Sequence, residues 1–164
     1  MATWRIMTLS DIKEVLRVAD KVHPDLPESE AMFTERVKLF PEGALVLVER
    51  SEVCGYIVSH PIRNHQPPTL DSLLGEIACD ADQYYIHDLA MLPKMRGQGH
   101  TVECMNQILG VAERYPTACL VSVYGTTPFW NRFGFVAGPV DGVLTEKLRG
   151  YGKEAIYLER QNTS

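Results

Sequence analysis

Residues 84–112 narrow the fold more than any other part of the chain. Tyr84 to Met91 is rich in strand-forming residues and Pro93 ends that stretch, while Val102, Met105, Ile108, Leu109 and Ala112 recur at helical spacing from near Gly99 onward. Between them lies Arg96-Gly97-Gln98-Gly99-His100-Thr101. A strand that turns through glycines into a helix aims several free backbone N–H groups at one place, at the positive end of the helix dipole. A pyrophosphate set against Gly97 to Thr101 would gain hydrogen bonds and favourable charge together, and Arg96 adds a full positive charge. Taken alone, the two glycines are equally consistent with a tight turn that holds no ligand. The turn lacks the Gly-Lys-Ser/Thr ending of a triphosphate loop. It also lacks the third glycine and later acidic residue of a dinucleotide-binding unit.

The remaining chain alternates in the same way. Trp4 to Met7 reads as a short strand, and Ile12, Val15, Leu16 and Ala19 as a helix that Pro24 and Pro27 close. Met32, Phe33, Val37 and Phe40 predict a second helix, stopped by Pro41 and Gly43. Ala44 to Val48 and Val53 to Ser59 predict a hairpin, and residues 60–83 a long polar excursion of the kind that carries substrate contacts. Ala118 to Val123 predicts another strand. Thr127 and Pro128 open a short helix closed by Gly134, and Val136 to Thr145 with Ala155 to Leu158 is expected to finish the sheet.

With 164 residues and an ordinary 45% hydrophobic content, the chain is expected to form one domain, residues 1–164. Its net charge of −5 works against the polyanionic backbone of a nucleic acid, so none is expected as a partner. Cys54, Cys79, Cys104 and Cys119 form no CxxC pair, so no metal or redox centre is expected. Neither a signal peptide nor a membrane-spanning run is legible, which makes the cytoplasm the expected compartment. A homodimer is left open.

Ile86-His87-Asp88-Leu89-Ala90-Met91-Leu92-Pro93, followed by Arg96-Gly97-Gln98-Gly99, resembles the donor-binding motif of the GNAT N-acetyltransferases. Pro128-Phe129-Trp130-Asn131-Arg132-Phe133-Gly134-Phe135 resembles that family's second signature. The resemblance covers nearly the whole chain. It implies an α+β fold in three layers, with a mixed, mainly antiparallel sheet flanked by helices and split between the strands at Leu89 and Val121. It implies acetyl-CoA as the acyl-donor substrate, an amine as acceptor, and no metal. The donor would be held by backbone N–H groups of Leu89, Ala90 and Met91, by Arg96, Gly97, Gln98, Gly99, His100 and Thr101, and by Trp130. Thr101 stands where the family usually has Gly or Ala, and Trp130 where many members have a tyrosine proposed as general acid.

Acetyl transfer to an amine requires deprotonation of the ammonium, stabilisation of an oxyanion and departure of a thiolate. His87 is the candidate base, because the resemblance puts it where relatives carry a glutamate and an imidazole titrates near neutrality. The alternative for His87 is a hydrogen-bonded structural role. Strand alternation sets Tyr85, His87, Leu89 and Met91 on one face and Ile86, Asp88 and Ala90 on the other, so His87 and Asp88 pair only if a bulge intervenes. Tyr124 is the alternative proton donor to the displaced tyrosine, or an ordinary strand-end aromatic. His23, His60, His65 and His100 read as structural or solvated. Two further functions share this pattern: an acyl-CoA-binding module without turnover, and an acyl-CoA decarboxylase.

Overall fold

A computed structural model describes residues 1–162. Among these the strands are β1 (Thr3–Ile6), β2 (Ala44–Glu49), β3 (Glu52–Ile62), β4 (Gln83–Met91), β5 (Thr117–Ser122), β6 (Val136–Ala137) and β7 (Ile156–Gln161). They form one sheet in the order β1-β2-β3-β4-β5-β7-β6, antiparallel throughout except where β4 meets β5. The helices are α1 (Ile12–Val22), α2 (Glu30–Leu39), α3 (His100–Ala112), α4 (Thr127–Asn131) and α5 (Gly142–Arg149).

Helices cover both faces of the sheet. Ile12, Val15, Val18 and Ala19 of α1, with Met32, Phe33 and Val37 of α2, pack with Val46, Tyr56 and Val58. On the opposite face Cys104, Met105, Ile108 and Ala112 of α3 pack with Ile57, Tyr84, Ile86 and Leu120. Each large apolar side chain so buried contributes about 1.5–3 kcal/mol relative to exposure. Burial from both sides explains why Val53 to Ile62 of β3 is a continuous buried run rather than an alternating one. The expected α+β three-layer architecture is the one observed.

One expected strand is cut short. Of Val136 to Thr145 only Val136–Ala137 pairs, with β7, and the rest turns into α5. Pro139 cannot donate to a ladder, and the Asp141 carboxylate caps the new helix by accepting from the Leu144 N–H at 2.8 Å.

Two irregularities of β4 shape the interior. Val58 opposes Asp88 and Ser59 opposes Ile86, so His87 is an extra residue without a cross-strand partner. This bulge overturns the expected alternation. Ile86 and Leu89 pack toward α3, whereas His87 and Asp88 both meet residues of the α1 and α2 layer. Beyond Ile86 and Leu120 the parallel pairing of β4 with β5 stops, while β4 runs on to Met91 and β5 turns to β7. The sheet is therefore split between Leu89 and Val121, as expected.

Candidate active site

The split opens into a cavity of about 730 Å³. Leu89, Ala90, Met91, Arg96, Gly97, Gly99, His100, Thr101, Trp130, His87 and Tyr124 all line it. Gln98 does not, because its side-chain amide turns back to donate to the Lys94 carbonyl at 2.9 Å. Along residues 87–91 the side of β4 turned toward β5 has lost its ladder partner, so its outward N–H groups face the cavity.

At the mouth, Gly97 and Gly99 adopt φ values of 78° and 82°, which L side chains rarely tolerate. Their N–H groups, with those of His100 and Thr101 in the first turn of α3, have no acceptor among the described residues. A Cβ added at either glycine would meet nothing within 4 Å. The loop thus combines open space with converging donors, and a diphosphate fits that set. The Trp4 indole N–H donates to the His100 carbonyl at 2.8 Å, tying the start of α3 to the far edge of the sheet.

Away from the loop, the bulge gathers two imidazole–carboxylate pairs onto the cavity wall. His87 Nε2 lies 2.8 Å from both carboxylate oxygens of Glu28, and the two side chains are 1% and 6% exposed. His23 Nε2 lies 2.8 Å from Asp88 Oδ1, with side-chain exposures of 14% and 15%. The other Asp88 oxygen accepts from the Tyr56 hydroxyl, which is wholly buried. Burial opposes ionisation of Asp88, but His23 and Tyr56 outweigh it and hold the carboxyl below its ordinary range. Burial likewise works against protonation of His23, with Arg96 on the same side. The Asp88 carboxylate, and beyond it Glu28, prevail and raise the imidazole. Since a carboxylate only accepts, Nε2 carries a proton in both pairs, and whenever the imidazole is neutral Nδ1 keeps its lone pair. Neither Nδ1 has a hydrogen-bond partner among the described residues.

The excursion after β3 begins at residue 63, three residues later than expected, because His60 lies buried within the strand. Its middle part is strapped across this end of the cavity. Lys147 and Tyr151 of the α5 region donate to the Pro67 and Pro68 carbonyls, both at 2.9 Å. The Glu35 carboxylate accepts from the N–H groups of Leu74 and Gly75, and Glu28 from that of Asp71. Leu70 and Tyr151 face the cavity as a result. Tyr124 has a φ of 55°, a conformation that costs a non-glycine residue about 1 kcal/mol or more. Its ring stacks on that of His23, with centroids 5.5 Å apart.

Sequence reading missed His23, Glu28 and Tyr56. His23 and Glu28 belong to a proline-broken connection between α1 and α2, where no periodicity points to a site. Their partners stand 65 and 59 positions away. A bulge was the one condition under which His87 and Asp88 could have formed a dyad; the bulge is present, yet His87 pairs with Glu28 and Asp88 with His23. No group of three or more metal-ligating side chains occurs among the described residues, and no helix there is long and apolar enough to cross a membrane.

Comparison with known proteins adds to this geometry. A family model described as the acetyltransferase (GNAT) family matches residues 9–135. No significantly similar relative is found among curated protein sequences. Among solved structures, the loading GNATL domain of CurA from Lyngbya majuscula superposes with a TM-score of 0.80 at 12% identity, covering 98% of both chains. The GNAT-like decarboxylase GphF, in complex with isobutyryl-CoA, gives 0.78 at 14% identity over 98% of this chain and 100% of the other. The ribosomal-protein-S18-alanine N-acetyltransferase from Escherichia coli gives 0.69 at 13% identity, covering 100% and 96%. Identities this low speak for the fold alone. The family model spans most of the chain, so the chain belongs to the acetyltransferase (GNAT) family.

Proposed function

We propose that the protein is an N-acetyltransferase that moves the acetyl group of acetyl-CoA to a primary amine. The donor diphosphate would lie on the N–H groups of Gly97 to Thr101 beside Arg96, and the pantetheine arm between β4 and β5. The thioester carbonyl would meet the unpaired edge of β4 at Leu89 to Met91, where backbone donors stabilise a developing oxyanion.

The observation that carries the amine over other acceptors is the His23–Asp88 imidazole–carboxylate pair on the cavity wall, which can take a proton from an ammonium. The same wall argues against the second reading, decarboxylation of a carboxylated acyl-CoA, which the GphF likeness raises. Glu28 and Asp88 each already occupy one imidazole Nε2, so neither histidine offers that N–H to hold the substrate's own carboxylate. Thiol release from acetyl-CoA with a panel of primary amines tests the proposal, with product masses read alongside. Release that needs an amine and gives a product heavier by one acetyl group supports it. Carbon dioxide release from a malonyl-type donor without an amine would establish the other chemistry.

A further inference from the structure

We infer that His23, oriented by Asp88 and Tyr56, is the general base of the site, and that His87 with Glu28 is its structural neighbour. This rests on the acetyl-transfer reading and goes beyond it by assigning the proton step to a residue outside both sequence motifs.

Three observations separate the two histidines. The His87–Glu28 pair is sealed at 1% and 6% exposure, and Glu28 also accepts from the Asp71 N–H, so this pair fastens the strap. The His23 side chain is more exposed, lines the cavity and stacks on a tyrosine that is 44% exposed, so it lies nearer to solvent than His87. Finally, Asp88 is fixed from both sides, by His23 on one oxygen and by Tyr56 on the other. An imidazole held through one nitrogen by a fixed carboxylate, with the other nitrogen buried and unpaired in the wall of a substrate cavity, is the arrangement of an activated base. The groups around His23 are Asp88 and Tyr56 from the sheet, Glu28 from the α1–α2 connection, Arg96 from the donor loop and Tyr124 from the end of β5.

In the step, Nδ1 of neutral His23 accepts one proton from the acceptor ammonium. The freed amine nitrogen attacks the thioester carbon, the C–N bond forms and the C–S bond breaks. The thiolate leaves and takes up the second nitrogen proton, giving amide and free thiol. His23 then returns its proton to water.

The test is the pH–rate profile of thiol release for the wild type and for His23→Gln, Asp88→Asn and His87→Gln, with donor affinity measured by calorimetry. The wild-type rate should rise with pH through a group above the ordinary imidazole value. His23→Gln should lose that limb and slow the chemical step by about 10²-fold at unchanged donor affinity. Asp88→Asn should move the limb to lower pH, and His87→Gln should keep it. Should His23→Gln prove unstable, His23→Ala with added imidazole replaces it, and recovery of rate with imidazole is expected. A limb that survives in His23→Gln, that vanishes in His87→Gln instead, or an Ala variant deaf to imidazole overturns the assignment while transfer itself stands. A wild type that transfers acetyl to no amine overturns both.

Discussion

Glu28 and His87 meet across 59 positions of sequence, with both carboxylate oxygens 2.8 Å from Nε2. The contact exists because the β4 bulge turns His87 toward the α1–α2 connection. It also ties that connection to the strap through Asp71.

Glu28→Ala should therefore cost stability. Removing one partner of a buried pair leaves the other uncompensated, a loss of about 3 kcal/mol. Urea unfolding should show a lower midpoint with little change in slope. An unchanged midpoint would mean that the strap holds without this pair.

The His23–Asp88 pair makes stability depend on pH, and its sign follows from the shifts. The folded His23 pKa lies above the ordinary 6.5, so its contribution is complete below that pH and is lost as pH rises through the folded value. Asp88 is held below 3.8, so its contribution is present above that pH and is lost as pH falls through the depressed value. The stability gap between the wild type and His23→Gln should be widest near about pH 5 to 6 and should shrink toward pH 9. Unfolding curves at several pH values would show it. A gap that widens with alkali would contradict the pairing.

Gly97→Ala adds a methyl group to open space, so its cost is in the backbone and not in packing. Forcing an L residue to a φ of 78° costs about 1–2 kcal/mol, and relaxing it disperses the N–H groups. Affinity for acetyl-CoA should fall roughly tenfold or more, at a melting point lowered by only about 2–8 °C. Calorimetric titration beside a thermal melt gives both numbers, and equal affinity would put the donor elsewhere.

Trp130 is 8% exposed and packs edge-on against Phe129 and Phe135, and an indole cannot yield a proton near neutrality. Trp130→Phe should weaken donor binding more than it slows the chemical step. Tyr124 differs. Burial, with the Asp25 carboxylate nearby, pushes its hydroxyl up, which keeps it a donor. Where Tyr124 relays the second nitrogen proton to the leaving thiolate, Tyr124→Phe keeps the ring stacked on His23 and slows the chemical step by about 10²-fold in rapid-mixing kinetics. A chemical step slowed that far in Trp130→Phe with normal donor binding would reverse the two roles.

The strand, the glycine loop and the helix that line one end of the cavity were legible in the sequence because their information is local. A strand, two glycines and a helix N-terminus lie within residues 84–112, and the chemistry of that turn is backbone chemistry that neighbours in sequence create. Helix periods and capping residues likewise marked most elements, although Pro139 and Asp141 diverted one expected strand into α5. The other half was decided only by the tertiary structure. His23 pairs with Asp88, Glu28 with His87, and Tyr56 reaches Asp88 from the neighbouring strand, each across dozens of positions. What joins them is one bulged residue in β4, which shifts the side-chain period by one and brings His87 and Asp88 to the same face. Periodicity assumes a regular ladder. Where the ladder slips depends on how β3 and β4 pack, so the sequence determined the glycine loop while the register of two strands decided which side chains face the cavity beside it.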